Sequence, residues 1–316
     1  MRVGINVFRV STWLGNTRLV VLLLAISFSG QSAIANVFEN DNRRPISEAD
    51  DLAFVGVIAC ANTARLPTAS LITIDAADPD RRFDILITVA HAFARQDGTR
   101  WEECDFLPEG DPDRAVQIVY IISGTKTPGQ GWNTDWAVAV LAHRISDGIT
   151  LPHPLALDEV STQEKLNNGA HILLAGHNGE KLPMLLSDSC GPRIKTSGSQ
   201  NLGDDRVFNH DCDMMAGWSG GPLLLREGDA TYAIAVNSTQ FNRVVHQEGW
   251  PFDGRFNPNT AIRIDAEFEE TIRTLAVNGA PMRLADKMAF CTVETTASCQ
   301  NIDPGVTDEV RLEELP

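Results

Sequence analysis

The stretch CDMMAGWSGGPLLL, residues 212–225, sets a hydroxyl, Ser219, among glycines and just ahead of an apolar run. A serine hydroxyl is a weak nucleophile at its ordinary pKa. It attacks a carbonyl only when a base lies within hydrogen-bond reach and a third group orients that base. Gly217 and Gly220 flank the pair Trp218–Ser219. Glycine tolerates positive φ and leaves its backbone N–H uncovered. The N–H groups of Gly217 and Ser219 could therefore point at one oxyanion and stabilise a tetrahedral intermediate. Taken alone, the segment also fits a glycine-rich hairpin with an incidental serine.

The base must come from seven histidines. His143, His153, His177, His210 and His246 sit near turns or polar segments and read as solvated or structural, and His171 opens a strand. His91 differs, because it ends the apolar run ILITVA and opens HAFARQDG. The mouth of a buried strand is where a rigid scaffold presents a functional side chain. Among many carboxylates, Asp135 heads the apolar run WAVAVLA, where a partly buried charge needs donors. A plain strand cap is the alternative for it. The segment also satisfies G-x-S-x-G, the nucleophile elbow of α/β-hydrolases. That elbow opens a helix, and Gly-Gly-Pro after Ser219 is poor helix material. Its partners would also have to follow the serine as an acid and then a histidine, and only His246 lies downstream.

The elements that must hold these residues are short runs rich in Val and Ile. AFVGVIAC (53–60), SLITI (70–74), FDILITVA (83–90), VQIVYIIS (116–123) and WAVAVLA (136–142) form a first series. AHILLAGH (170–177), LPMLLS (182–187), GPLLLR (221–226), TYAIAVN (231–237) and TAIRI (260–264) form a second. Glycine, proline and aspartate clusters separate them, the pattern of an all-β sandwich or barrel. DAEFEETIRTLAVNG (265–279) predicts a helix: Asp265 caps it, Phe268, Ile272 and Leu275 share a face, and Asn278–Gly279 stops it. The expected organisation is a leader over 1–35, a polar strap over 36–52, and a first β unit over 53–145. A connector over 146–168, a second β unit with the helix over 169–279, and a solvated tail over 280–316 with one small disulfide loop complete it.

TVAHAF, DWAV and GWSGGPL occur in the order His, Asp, Ser. Together they make the chain resemble the chymotrypsin-like (trypsin-like) serine peptidases, in particular their bacterial, glutamyl-endopeptidase-like branch, over roughly residues 43–277. The order is that of chymotrypsin among the known triads. The resemblance implies two six-stranded antiparallel β-barrels with the site between them and a C-terminal helix. It makes His91 the general base and later acid, Asp135 its orienting partner, and Ser219 the nucleophile of an endopeptidase working through an acyl-enzyme. It places Ser238, in AVNSTQ, on the strand lining the substrate cleft with its hydroxyl against the aspartate. It places Asp213 at the base of the primary specificity pocket, where an acid would favour Arg or Lys. Met214 stands where the bacterial branch often carries the threonine of C-D-T, and Asn237 where its glutamate-selective members carry a histidine, so glutamate preference is not expected. Trp218 stands where animal members carry the aspartate that pairs with a newly cut N-terminus. NRRPIS resembles the bacterial leader, so activation by cutting at Arg44 is not expected.

Composition bounds the rest. The 316 residues carry a formal net charge of -16, which disfavours a nucleic-acid face. Arg2, Arg9 and Arg18 precede LVVLLLAISF, and Ala33 and Ala35 form an A-x-A signal. This predicts a cleaved export leader. The apolar run of about 10 residues is short of the roughly 20 needed to span a bilayer. A secreted or periplasmic location follows, with no stable membrane insertion. Six cysteines in an exported chain favour disulfides. Of the 15 pairings six cysteines allow, the neighbouring ones, Cys60–Cys104, Cys190–Cys212 and Cys291–Cys299, are expected. The chain has no C-x-x-C and no H-E-x-x-H, so no metal and no organic cofactor is expected. The expected partner is a protein or peptide substrate, met by a monomer. A protease-like fold used for binding, or a narrow processing protease, is the alternative.

Overall fold

The computed structural model describes residues 37–74, 81–128, 132–177, 183–193, 205–240, 249–278, 289–293, 298–301 and 309–311. The expected leader lies outside the described residues. No helix among them is long and apolar enough to cross a membrane.

The strap contributes a short strand, β1 (Arg44–Pro45). The first β unit follows: β2 (Val55–Ala61), β3 (Thr68–Ile72), β4 (Ile85–Thr88), β5 (Glu102–Pro108), β6 (Val116–Ser123) and β7 (Ala137–Leu141). These six strands pair antiparallel in the ring β2-β3-β4-β7-β6-β5 and back to β2, which closes a barrel. Closure leaves little free edge, the exception being the end of β6 that β5 does not reach. Every residue of β3, β4 and β7 is buried, as their unbroken apolar runs require. Cys60 and Cys104 face each other in the β2–β5 register and are joined as a disulfide.

The connector is not irregular throughout. It holds β8 (His153–Pro154) and a helix, α1 (Glu159–Asn167), whose N-terminus is capped by Asp158 accepting from the Ser161 N–H. The second unit comprises β9 (His171–Gly176), β10 (Leu185–Cys190), β11 (Pro192–Arg193), β12 (Val207–His210), β13 (Pro222–Glu227), β14 (Ala230–Gln240) and β15 (Asn259–Arg263). The pairing order β10-β9-β13-β14-β15-β12-β11 begins and ends on one run of chain. β10 pairs with β9; after Gly191 the same run continues as β11 and pairs with β12. A single bent strand therefore shuts the second ring. The Cys190–Cys212 disulfide sits at the bend, with a sequence separation of 22. By chain entropy such a loop is worth about 3 kcal/mol.

The predicted helix is α2 (Ala266–Asn278), with the Asp265 carboxylate accepting from the Phe268 N–H at 2.9 Å. It stacks Phe268 on Trp136 of the first unit, with ring centroids 4.5 Å apart. The tail departs from the solvated end expected for it. β16 (Ala289–Thr292) pairs parallel with Tyr120–Ser123 of β6, beyond the Val116–Gln117 stretch that β5 covers. β17 (Ser298–Asn301) and β18 (Glu309–Arg311) extend the sheet outward. Apolar burial explains the docking: Phe290 and Cys291 are buried in the first core. Cys291 is disulfide-bonded, while the side chain of Cys299, its expected partner, lies outside the described residues.

Candidate active site

β4 and β7 run antiparallel as neighbours, with Thr88 opposite Ala137. The residues just past the end of β4 and just before the start of β7 must therefore meet. They are His91, in a tight 3-10 turn over 90–92, and Asp135. The Asp135 carboxylate accepts from the His91 backbone N–H at 3.0 Å and lies 2.7 Å from His91 Nδ1. It also accepts from the Ser238 hydroxyl at 2.8 Å. Asp135 is buried, so these donors meet the demand that its burial creates. The carboxylate keeps the proton on Nδ1 and leaves the Nε2 lone pair free to take one. The His91 side chain keeps 26% of its surface in solvent, enough to be reached by a substrate.

Ser219 comes from the other barrel, in the turn that feeds β13. Trp218 N–H donates to the Met215 carbonyl at 3.1 Å, closing a turn in which Gly217 takes φ 93°. Gly220 takes φ 84°, and a Cβ there would lie 2.1 Å from both the Thr68 carbonyl oxygen and Thr88 Oγ1. Glycine is required on both counts. The carbonyls of the turn are held one by one. Gly217 C=O accepts from Thr68 Oγ1 at 2.7 Å, and Ser219 C=O from the Thr68 N–H at 2.8 Å. Trp218 C=O accepts from Asn237 Nδ2 at 2.9 Å and from the Gly221 N–H at 3.0 Å. Among the described residues, the N–H groups of Gly217 and Ser219 donate to no protein group. The expected oxyanion donors are thus free. Trp218 is fully buried, its indole so close to Gly176 that a Cβ there would lie 2.3 Å from a ring atom.

Ser238 joins the two halves. Its hydroxyl holds Asp135, and its carbonyl accepts from Ser219 Oγ at 2.9 Å. The Ser219 hydroxyl therefore rests on Ser238 rather than on His91.

Asp213 is bonded to the strap. Its carboxylate accepts from the backbone N–H groups of Phe38 at 2.7 Å and Asn42 at 2.9 Å, both in the strap. It is 1% exposed, and burial pushes its pKa up despite those two bonds. His210, read from the sequence as solvated or structural, is fully buried. Burial pushes its pKa down to about 4, so the ring is neutral. Its Nε2 lies 3.1 Å from Asn237 Oδ1, and its Nδ1 accepts from the Cys212 N–H at 3.3 Å. Sequence reasoning also missed Thr68, a lone threonine in β3 with no local signal.

No group of three or more His, Cys, Asp or Glu residues among the described residues could hold a metal ion. The arrangement brings together a histidine paired with a buried acid, a hydroxyl that shares Ser238 with that acid, and two uncovered N–H donors.

No family model and no curated protein matches the sequence. Solved structures match its shape. A Glu endopeptidase in complex with MPD superposes with a TM-score of 0.56 at 13% identity, over 76% of this chain and 99% of that one. The protease Anisep from Arthrobacter nicotinovorans gives a TM-score of 0.46 at 14% identity, over 70% of this chain and 92% of that one. The thermostable serine protease AL20 from an extremophilic microorganism gives 0.45 at 16% identity, over 71% and 99%. The fold is the two-barrel fold of the chymotrypsin-like serine peptidases.

Proposed function

We propose that this chain, with its chymotrypsin-like fold, is an exported serine endopeptidase that cleaves protein or peptide substrates without a metal or organic cofactor. One observation carries the reading. Ser238 bonds Asp135 with its hydroxyl and Ser219 with its carbonyl, so one residue ties base, acid and nucleophile into a single cluster between the barrels.

In the first step the Ser219 hydroxyl turns from the Ser238 carbonyl to His91 Nε2. Its proton passes to that nitrogen as Oγ bonds the scissile carbonyl carbon. The carbonyl oxygen becomes an oxyanion against the Gly217 and Ser219 N–H groups. The intermediate collapses, the C–N bond breaks, and the imidazolium gives its proton to the departing amine. Water then cleaves the acyl-enzyme by the same steps, with His91 again as base. Asp135 stabilises the imidazolium throughout and stays ionised.

Because Asp213 is spent on the strap, cleavage is not directed to bonds after Arg or Lys. Because Arg44 is already paired with Leu186 in the β1–β10 ladder and with Asp50 by a bidentate ion pair, activity does not require a cut at Arg44. The enzyme works as a monomer, in the periplasm or outside the cell. A second reading rests on the resting hydrogen bond of Ser219. A hydroxyl held on Ser238 fits a protease-like fold kept for binding, or a narrow processing protease that aligns only on one partner.

The test uses residues 36–316 made by an oxidising route, incubated with a diverse peptide mixture beside Ser219→Ala. New termini read by mass spectrometry and absent from the variant are expected. A folded wild type that gives none supports the binding reading.

A further inference from the structure

The fully buried His210 lies outside the reaction steps, yet it is linked to them by consecutive bonds. Its Nδ1 accepts from the Cys212 N–H, so its proton is on Nε2, the nitrogen that faces Asn237 Oδ1 at 3.1 Å. An acceptor at Oδ1 fixes the side-chain amide of Asn237 with Nδ2 on the other side. Nδ2 then donates to the Trp218 carbonyl at 2.9 Å. That carbonyl belongs to the peptide whose nitrogen is Ser219 N. A trans peptide is planar, with C=O and N–H on opposite sides. Holding the Trp218 carbonyl against Asn237 therefore holds the Ser219 N–H facing away from it, without a protein acceptor of its own.

Every group in this chain is 0% exposed: His210, Asn237, Cys212 and Trp218. Water cannot substitute for a missing partner, and an unmade bond costs the desolvation of both groups. The Cys190–Cys212 disulfide anchors the far end at the bend that shuts the second barrel. Asn237 is also pinned along its backbone: its carbonyl accepts from the Gly220 N–H at 2.6 Å, and its N–H donates to the Gly221 carbonyl at 2.8 Å. With the backbone held, only the two side-chain torsions of Asn237 remain, and the bond to His210 restrains them.

We infer that His210 and Asn237 are positioning residues that aim the Ser219 N–H at the reaction's oxyanion. This deepens the peptidase reading and rests on it. Asn237 stands where glutamate-selective members of the resembled branch carry a substrate-selecting histidine, and its buried, doubly bonded amide acts on the nucleophile turn instead.

The inference separates transition-state stabilisation from substrate binding. Losing a whole oxyanion donor costs about 10²–10³ in kcat, and misaiming one costs less. His210→Leu keeps the bulk and removes the donor to Asn237. His210→Gln keeps a donor at about the position of Nε2. Against a peptide substrate, His210→Leu is expected to lower kcat about 10- to 100-fold with KM within about twofold, and His210→Gln to recover most of kcat. A peptidyl boronate, which forms a tetrahedral adduct on Ser219, is expected to lose affinity in step with kcat. If His210→Leu does not fold, Asn237→Asp, which removes the Nδ2 donor at constant shape, carries the same expectation.

Hydrogen exchange of the segment 213–221 is read on the same proteins with no substrate present. Faster exchange in His210→Leu, restored in His210→Gln, is expected. Equal exchange in all three overturns the relay, whether or not the wild type cleaves peptides. Equal losses of kcat in Leu and Gln variants of equal stability, or a loss confined to KM, overturn it as well. A wild type that cleaves nothing while exchange follows the expected pattern leaves the relay in place and removes the peptidase reading.

Discussion

The two barrels hold their halves of the site by different means. The first presents His91 and Asp135 at the ends of neighbouring strands and fixes them by side-chain bonds, 2.7 Å between His91 Nδ1 and Asp135. The second fixes Ser219 through backbone carbonyls. Three consecutive carbonyls, from Gly217 to Ser219, are each pinned, and the N–H groups of Gly217 and Ser219 are left over. The difference matches the chemistry proposed for the site. A base needs a defined tautomer, which only a side chain or a carbonyl at Nδ1 can impose. An oxyanion hole needs donors with no competing acceptor, which is achieved by binding the opposite side of each peptide.

If the first half depends on the tautomer, its largest break is Asp135→Asn. The amide has the same shape but no longer holds the proton on Nδ1. A fall in kcat of about 10⁴, or about 5 kcal/mol of transition-state stabilisation, is expected. The variant should fold, and its oxyanion donors should still bind a tetrahedral inhibitor. A change of less than tenfold in steady-state kinetics would show that the base is oriented by something other than the carboxylate.

The second half is broken through its backbone. Gly220→Ala places a Cβ 2.1 Å from the Thr68 carbonyl oxygen, in a barrel that cannot give way, and at φ 84°. A loss of about 4 kcal/mol or more of stability is expected, with activity lost alongside it. Gly228→Ala is the control. It also has positive φ, at 61°, but nothing lies within 4 Å of its Cβ. Only the local conformational cost of about 1 kcal/mol should appear there. Denaturant midpoints of the two variants compare contact with strain. Similar losses would mean that the nucleophile turn is less tightly enclosed than its contacts indicate.

The same contrast explains what could be read in advance. Runs of Val and Ile with turn signals between them identified ten strand segments, and the ends of two of them pointed to His91 and Asp135, which the structure places side by side. β5 was missed because Glu102, Glu103 and Asp105 interrupt its apolar residues, and only alternate positions are buried. α1 was missed because its nine residues are polar on nearly every side, with Thr162 alone buried. The strap's hold on Asp213 left no local trace, since its donors are backbone N–H groups more than 170 positions away, which any residue but proline supplies. Side-chain chemistry is written in residue types. Which backbone group a side chain meets is written in tertiary contacts, and so the bonds of Thr68 Oγ1 to Gly217 and of the His210 ring to Cys212 emerged only from the fold.

The smallest effect expected is on acid stability, and it again separates the halves. The ordinary pKa of His210 is 6.5, and burial lowers it to about 4 in the fold. Asp211, the nearest opposing charge, and the bonds to Asn237 and Thr260 pull it back only in part. Below pH 6.5 the unfolded chain takes up a proton on this ring, while the folded chain does not until pH nears 4. The unfolded state binds more protons in that window, so stability falls as pH drops from 6.5 towards 4. Asp50, held well below the usual carboxylate range first by Arg44, adds its own loss at lower pH. That loss is common to wild type and His210→Gln and cancels between them. The difference in unfolding free energy between the two proteins should be flat above pH 7 and change between 6.5 and 4, to the disadvantage of the wild type. Parallel curves through that window would mean that the buried ring accepts its proton in place. The link from the Cys190–Cys212 bridge to the nucleophile turn would then loosen with acid.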